Sequence, residues 1–230
     1  MIEEPPLLII RENHARPSAR QLQALAGTPT GFLADAMKGR GALPAGIRHV
    51  SPGILPARMC GPALTCLCGP ADVLAVFAGL GEVQPGDIMV ASTGQWDGSA
   101  VIGDRVMGML RNAGGQGFVT DGLVRDVAGI NKVGLPVMCA GVSPNSPYAN
   151  GPGEVGTDVQ LGDMRISSGD VIVSDEDGAV VIAHDRLDDV ITALETVREL
   201  EASLDAAVDN GLIMPDSTRE LLSSSRVRRI

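Results

Sequence analysis

Gly103–Ile130 reads GDRVMGMLRNAGGQGFVTDGLVRDVAGI, and one complete α/β step is legible in it. A Gly-Asp pair leads into a helical run whose apolar face is Val106, Met107, Met109, Leu110 and Ala113. Gly114, Gly115 and Gly117 stop that helix. Phe118-Val119-Thr120 then reads as a short buried strand, Asp121-Gly122 as a turn, and Val124-Arg125-Asp126-Val127 sets a guanidinium beside a carboxylate. Charged pairs that directly follow a buried strand stand at strand ends, where α/β folds place their sites. The stretch therefore predicts an α/β fold with Arg125 and Asp126 at a strand end.

The two side chains offer specific chemistry. Arginine presents a rigid fork of donors that matches a carboxylate or an enolate oxygen. Aspartate supplies a hard oxygen for a magnesium-like ion, which takes only one or two protein carboxylates and keeps its waters. Asp104 stands twenty-one positions before Arg125, with twenty residues between them, and the amides of Gly103-Asp104-Arg105-Val106 open a helix and suit an anion. A solvated Arg-Asp pair closing a turn would use the same residues. Asp121 could join the carboxylates or simply form the turn.

Spacing separates these alternatives. Gly103-Asp104, Asp104-x20-Arg125 and Arg125-Asp126, in the setting Val119-Thr120-Asp121-Gly122-Leu123-Val124, resemble the RraA-like family, which includes the 4-hydroxy-4-methyl-2-oxoglutarate aldolases. The resemblance covers roughly residues 30–200. It departs at one place: the family carries a carboxylate three residues after the aspartate, and here Gly129 stands. The resemblance implies a swivelling β/β/α sandwich, assembled as a homotrimer or a dimer of trimers. It implies a Mg2+ or Mn2+ ion on Asp126 and a small 2-oxo acid as substrate. In that scheme Arg125 and Asp104 are catalytic, and the Gly103, Asp104, Arg105 and Val106 amides hold the substrate carboxylate together with Arg125. The reaction is retro-aldol cleavage of 4-hydroxy-2-oxo acids to pyruvate, or oxaloacetate decarboxylation. The family's sites lie between subunits and borrow a carboxylate from a neighbour's C-terminal segment, for which Glu195, Glu199 and Glu201 are candidates. Gly129 is expected to favour decarboxylation over aldol cleavage, so that Gly129→Glu would raise the aldolase rate. Other family members are protein-binding inhibitors of a ribonuclease. Gly129 leans that way, while Asp104 and Asp126 lean toward an enzyme.

Working outward, 230 residues suffice for one domain with a sizeable core. We divide the chain into an N-terminal arm over 1–17, a domain over 18–210 and a C-terminal extension over 211–230. The net charge of −10 and the 2% aromatic content disfavour a nucleic-acid surface, which needs clustered cations and stacking rings. No apolar run reaches membrane-spanning length, and Met1-Ile2-Glu3-Glu4 lacks a basic leader. Cys60, Cys66, Cys68 and Cys139 lack histidines at zinc spacing and read as reduced core thiols of a cytoplasmic protein.

The pattern predicts helices over 18–26, 32–38, 72–80, 187–208 and 217–222, with Ser18, Thr30, Asp72 and Asp185 as caps. Strands are expected over 60–66, 88–91, 118–120 and 135–140, then near 159–160, 163–166, 171–173 and 179–182. Residues 141–156 read as a long loop of the kind that carries function. Pro85-Gly86-Asp87 and Ser168-Gly169-Asp170 each turn into an apolar strand, which we take as one turn solution used twice. Asp175-Glu176-Asp177 is read as a solvated hairpin tip, and Trp96 as a loop residue that either lines the site or plugs the surface.

Overall fold

The structure, a computed structural model, describes residues 4–230; residues 1–3, the start of the segment without a basic leader, lie outside the described residues. Along the chain run β1 (Leu8–Ile10), α1 (Ala19–Leu25), α2 (Thr30–Ala36), β2 (Arg48–His49), β3 (Met59–Cys68), α3 (Leu74–Gly79), β4 (Ile88–Ser92) and β5 (Ala100–Ile102). Next come α4 (Asp104–Asn112), β6 (Gly117–Thr120), β7 (Leu123–Val124), α5 (Val127–Val133), β8 (Val137–Cys139), β9 (Gly141–Val142) and β10 (Gly153–Val155). The chain closes with β11 (Val159–Leu161), β12 (Met164–Ile166), β13 (Val171–Asp175), β14 (Gly178–Ile182), α6 (Leu187–Asp209) and α7 (Asp216–Ser223). The α/β class and the layered sandwich expected from the sequence are what the structure has.

The main sheet runs β1-β10-β3-β4-β6-β8-β2, with β13 also paired to β3 and β14 to β13. Its centre, β3-β4-β6-β8, is parallel. A parallel sheet is covered on both faces, so its strands are mostly apolar along their length rather than alternating, with Thr65, Ser92 and Thr120 as buried exceptions. Alternation survives only in which core each side chain enters. Met89, Ala91, Phe118, Val137 and Cys139 face the core built with α3, α4 and α5. Ile88, Val90, Val119 and Met138 face a second core closed by β11, β12 and β14. A third apolar layer joins α1, α2 and α6 to β13 and β14 through Leu25, Leu33, Val171, Ile182 and Leu194.

A second, three-stranded sheet positions the site. Each of β4, β6 and β8 continues after a break into β5, β7 and β9, and these pair in the same order, β5-β7-β9, again parallel. The break after β6 is Asp121-Gly122. The strand after it ends at Val124, and α4 and α5 leave directly from β5 and β7. Two neighbouring parallel strands therefore end side by side, one at Gly103 and the other at Arg125, whose amide donates to the Ile102 carbonyl at 3.0 Å. The twenty-residue spacing is the length of one helix and one strand between those two ends.

Several local expectations change. Leu8–Ile10, read as part of an arm, is an edge strand parallel to β10. Thr30 is the first residue of α2 rather than its cap, and Asp185 sits in a short 3-10 turn (His184–Arg186) instead of capping α6. Within 135–140 only Val137–Cys139 is strand, since Pro136 cannot donate to a ladder. Asp175 is buried rather than solvated: it accepts from the Thr30 amide and hydroxyl, both at 2.7 Å, and from the Asp177 amide at 3.0 Å. Burial alone would raise this carboxyl, but those donors together hold it below the usual carboxylate range.

The two Gly-Asp turns share one hydrogen-bond solution. Asp87 accepts from the Gln84 amide and Asp170 from the Ser167 amide, each at 2.8 Å, and the preceding glycines have φ of +92° and +96°. Each second oxygen takes a distant donor, Arg16 for Asp87 and the His184 amide for Asp170.

Candidate active site

At the ends of β5 and β7 three charged residues meet. Asp126 has left-handed backbone, φ 57° and ψ 41°, and occupies the N-cap of α5 without accepting a cap bond from its own helix. Aspartate tolerates that conformation at a cost of about 1 kcal/mol. An N-cap aspartate normally spends its oxygens on the helix amides. Here the carboxylate turns instead toward Gly103 and lies 3.4 Å from Arg125 Nε. Gly103 has ordinary extended backbone, so its smallness matters, not its freedom. A Cβ there would stand 2.6 Å from Asp126 Oδ2 and 3.1 Å from Arg125 Cγ.

Asp104 opens α4 and leans on the first turn of α5. A Cβ on Gly129 would lie 2.5 Å from Asp104 Cβ and 2.7 Å from its Cγ, with Oδ2 closer still. The two carboxylates are thus seated on two glycines, each glycine belonging to the strand end or helix opposite. Gly129→Glu accordingly has no room for its side chain unless Asp104 gives way, and the expected gain of a third carboxylate is withdrawn. Gly103 caps α4 without a side chain, which leaves the first-turn amides of Asp104, Arg105 and Val106 free of a side-chain cap. Arg105 is exposed, while the Val106 side chain is buried and serves the core.

A cavity of about 250 Å³ opens beside this cluster, lined by Arg125, Asp126, Val127, Val142, Ser143 and Pro144. Sequence reasoning missed one contact there: Arg125 Nη1 donates to the Ser146 hydroxyl. Nothing in the pattern around Ser146 signals it beyond its place in the long loop.

Two other candidates are not brought in. Asp121 is buried, and its oxygens accept from the Thr93 amide (2.7 Å), the Thr93 hydroxyl (3.1 Å) and the Gln95 amide (3.0 Å). It clamps the loop after β4. Trp96 folds its ring over Gly98 and donates to Ser99 Oγ at 3.2 Å. Glu195 and Glu199 stand exposed on α6, which packs on α1 and α2. The cysteines are free thiols: Cys66, Cys68 and Cys139 are buried and Cys60 half-buried. Burial pushes Cys60 and Cys139 up to about 11 and Cys68 to about 12, so none is a nucleophile near neutral pH.

The sequence model of the RraA-like family (Aldolase/RraA) matches residues 30–181, which include the whole cluster. The chain belongs to that family. A protein of Halalkalibacterium halodurans named "putative 4-hydroxy-4-methyl-2-oxoglutarate aldolase" is 28% identical over 185 residues, 80% of this chain and 87% of its own. Among solved structures, RraAS2 of Streptomyces coelicolor, described as an unusual member of the RNase ES inhibitor RraA protein family, superposes with a TM-score of 0.72 at 25% identity. That match covers 84% of this chain and all of RraAS2. A protein of Pseudomonas syringae pv. tomato has the same fold, with a TM-score of 0.73 at 24% identity over 86% of this chain and 96% of its own. Beyond the family, no described helix is long and apolar enough to cross a membrane.

Among the described residues no group of three or more His, Cys, Asp or Glu side chains converges as a metal site. That donor set fits no structural zinc, which needs four ligands. It does fit a magnesium-like ion, for which one or two carboxylates suffice and water and substrate complete the shell.

Proposed function

We propose that this RraA-like chain is a divalent-metal-dependent lyase on 2-oxo acids. It would decarboxylate oxaloacetate, cleave 4-hydroxy-2-oxo acids to pyruvate, or do both. The observation that carries the reading is Asp126: a left-handed N-cap aspartate that declines its own helix and lies beside Arg125 over Gly103. What sets Asp126 apart is where its carboxylate points, since Asn13, Lys38, Ala71 and Gln95 share its left-handed backbone.

Asp126 would hold a Mg2+ or Mn2+ ion, and the ion would act as a Lewis acid toward the keto oxygen. The first-turn amides of α4, from Asp104 to Val106, would bind the substrate carboxylate at the positive end of the helix. Arg125 would face the keto oxygen and stabilise the negative charge that grows there. In oxaloacetate the C3–C4 bond breaks, carbon dioxide leaves, and its electron pair becomes the enolate of pyruvate. Asp104 would then deliver a proton to C3 through a water. In the aldol direction the same carboxylate would first take the C4 hydroxyl proton, a step that decarboxylation omits. With one acid-base group beside Gly129, decarboxylation is the less demanding of the two reactions.

Asp126→Ala tests the reading. The variant should melt like the parent, fail to bind manganese in a calorimetric titration, and lose oxaloacetate turnover. Unchanged manganese affinity in a folded variant would overturn it. The likeness to RraAS2 supports a second reading, a protein-binding regulator of a ribonuclease. A chain that binds no divalent ion and turns over no 2-oxo acid would favour that one.

A further inference from the structure

Residues 143–150 start in the wall of the Arg125–Asp126 cavity, with Ser143 and Pro144, and are pinned on both sides of a single serine. On one side the Ser143 amide donates to the Val124 carbonyl at 3.0 Å. Asn145 Nδ2 donates to the Gly98 carbonyl at 2.9 Å, and the Asn145 carbonyl accepts from the Ala100 amide at 3.0 Å. On the other side Tyr148 exchanges backbone bonds with Ala71 (2.7 Å) and Val73 (2.8 Å). Behind it, buried Asp72 accepts from the Asn150 and Gly151 amides at 2.6 and 3.0 Å. Between these anchors only Ser146-Pro147 is left, and proline fixes its own φ. The backbone that carries the serine is thus held in place by the fold, and its exposed hydroxyl takes Arg125 as its partner.

We propose that Ser146 is a positioning residue for Arg125, and through it sets affinity for the carboxylate-bearing 2-oxo acid; this rests on the lyase reading above. A guanidinium has five N–H donors in one plane. Asp126 faces Nε, and Ser146 engages Nη1, so two fixed points lock the plane. Nη2 and one Nη1 hydrogen remain as donors, and the outer Nη1–Nη2 edge is where two of them can pair. Two parallel N–H groups on one edge are what a carboxylate or a keto-acid oxygen pair accepts bidentately. Val127, Val142 and Pro144 supply the apolar part of the cavity wall beside them. Without Ser146 the guanidinium, on a side chain 35% exposed, would turn about its remaining torsions, and each binding event would have to order it again.

The experiment compares the parent with Ser146→Ala and Ser146→Thr. Oxalate, a planar dicarboxylate, serves as the calorimetric probe with manganese present, and oxaloacetate as the substrate. Ser146→Ala should raise the oxalate Kd about tenfold, or about 1.4 kcal/mol, and lower kcat/KM on oxaloacetate by a similar factor, with kcat falling too because Arg125 also faces the developing charge. Ser146→Thr should restore both. The Arg125 Nε–Hε signal in 15N NMR should broaden in the alanine variant and sharpen again in the threonine variant, whatever the turnover. Unchanged oxalate affinity and kcat/KM in Ser146→Ala, with a parent that binds and turns over normally, would overturn the Ser146 role alone. Tighter oxalate binding by Ser146→Ala would overturn it too, since the serine would then compete with the ligand. A parent that binds no oxalate and decarboxylates nothing would overturn the lyase reading and this role with it.

Discussion

Gly129→Ala sets two opposite forces against each other. In a helix, alanine is favoured over glycine by about 1 kcal/mol, so propensity alone would stabilise the variant. The added methyl, however, would sit 2.5 Å from Asp104 Cβ and 2.7 Å from its Cγ, where carbon contacts normally lie near 3.5–4.0 Å. Both Asp104 and Gly129 start helices whose other faces are packed, α4 through Met107 and Leu110 and α5 through Ile130, so neither backbone can simply retreat. Overpacking of that kind costs about 1–3 kcal/mol. Overpacking should win, with a net loss of about 1 kcal/mol and a melting temperature lower by about 2–4 °C for a chain of this length. Function should suffer more, because the methyl displaces Asp104 itself. A shift of about 1 Å in a reacting group can cost on the order of 100-fold in rate. The assay is a melting curve with oxaloacetate turnover, repeated on Asp104→Gly and on the double variant Asp104→Gly/Gly129→Ala. The double variant should recover the stability that the single methyl loses, since the clash is gone, and it should remain inactive. A Gly129→Ala protein that melts higher than the parent and turns over at the parent rate would refute the seat assigned to this glycine.

Three further outcomes follow from other parts of the molecule. Asp175 carries a depressed folded pKa, so its contribution to stability is present above the unfolded value near 3.8 and is lost as pH falls through the folded one. Asp175→Asn should therefore be less stable than the parent by about 1–3 kcal/mol at pH 7, with the gap closing below about pH 4 in urea titrations; a gap that does not vary with pH would contradict this. Asp170 is shifted the other way, mainly by burial, so its contribution fades as pH rises through the folded value, and it is common to both proteins being compared. Phe118→Ala, which empties the fully buried ring site behind the sheet, should cost about 3–5 kcal/mol by chemical denaturation. Leu200, Leu204 and Val208 lie exposed along one side of the distal half of α6, and light scattering should give a mass of at least three chains; a monomer that retains activity would refute a site shared between copies.

What could be read from the sequence follows from how local each determinant is. The alternation between helix and strand, and the break at Asp121-Gly122, are properties of a few consecutive residues, and the α/β class came through them. Asp104, Arg125 and Asp126 were legible because β5 and β7 are parallel neighbours, which converts a fixed chain length into a fixed spatial approach. The glycines carried a different message from the one a pattern conveys. Gly129 looked like a missing carboxylate, yet it is the space that the Asp104 carboxylate occupies, and only the packing of α4 on α5 exposes that. Asp121 and Asp175 looked like turn and surface residues because aspartate is common in both settings. Their burial comes from donors 26–28 and 145 positions away, a distance over which local pattern carries no information. Ser146 belongs to the same class. Its hydroxyl matters because Asp72, Gly98 and Val124, from three separate parts of the chain, fix the loop that bears it. A site whose charged groups are set by strand ends is thus open to spacing analysis, while the residues that hold those groups still are assembled by tertiary contacts and become visible only with the fold.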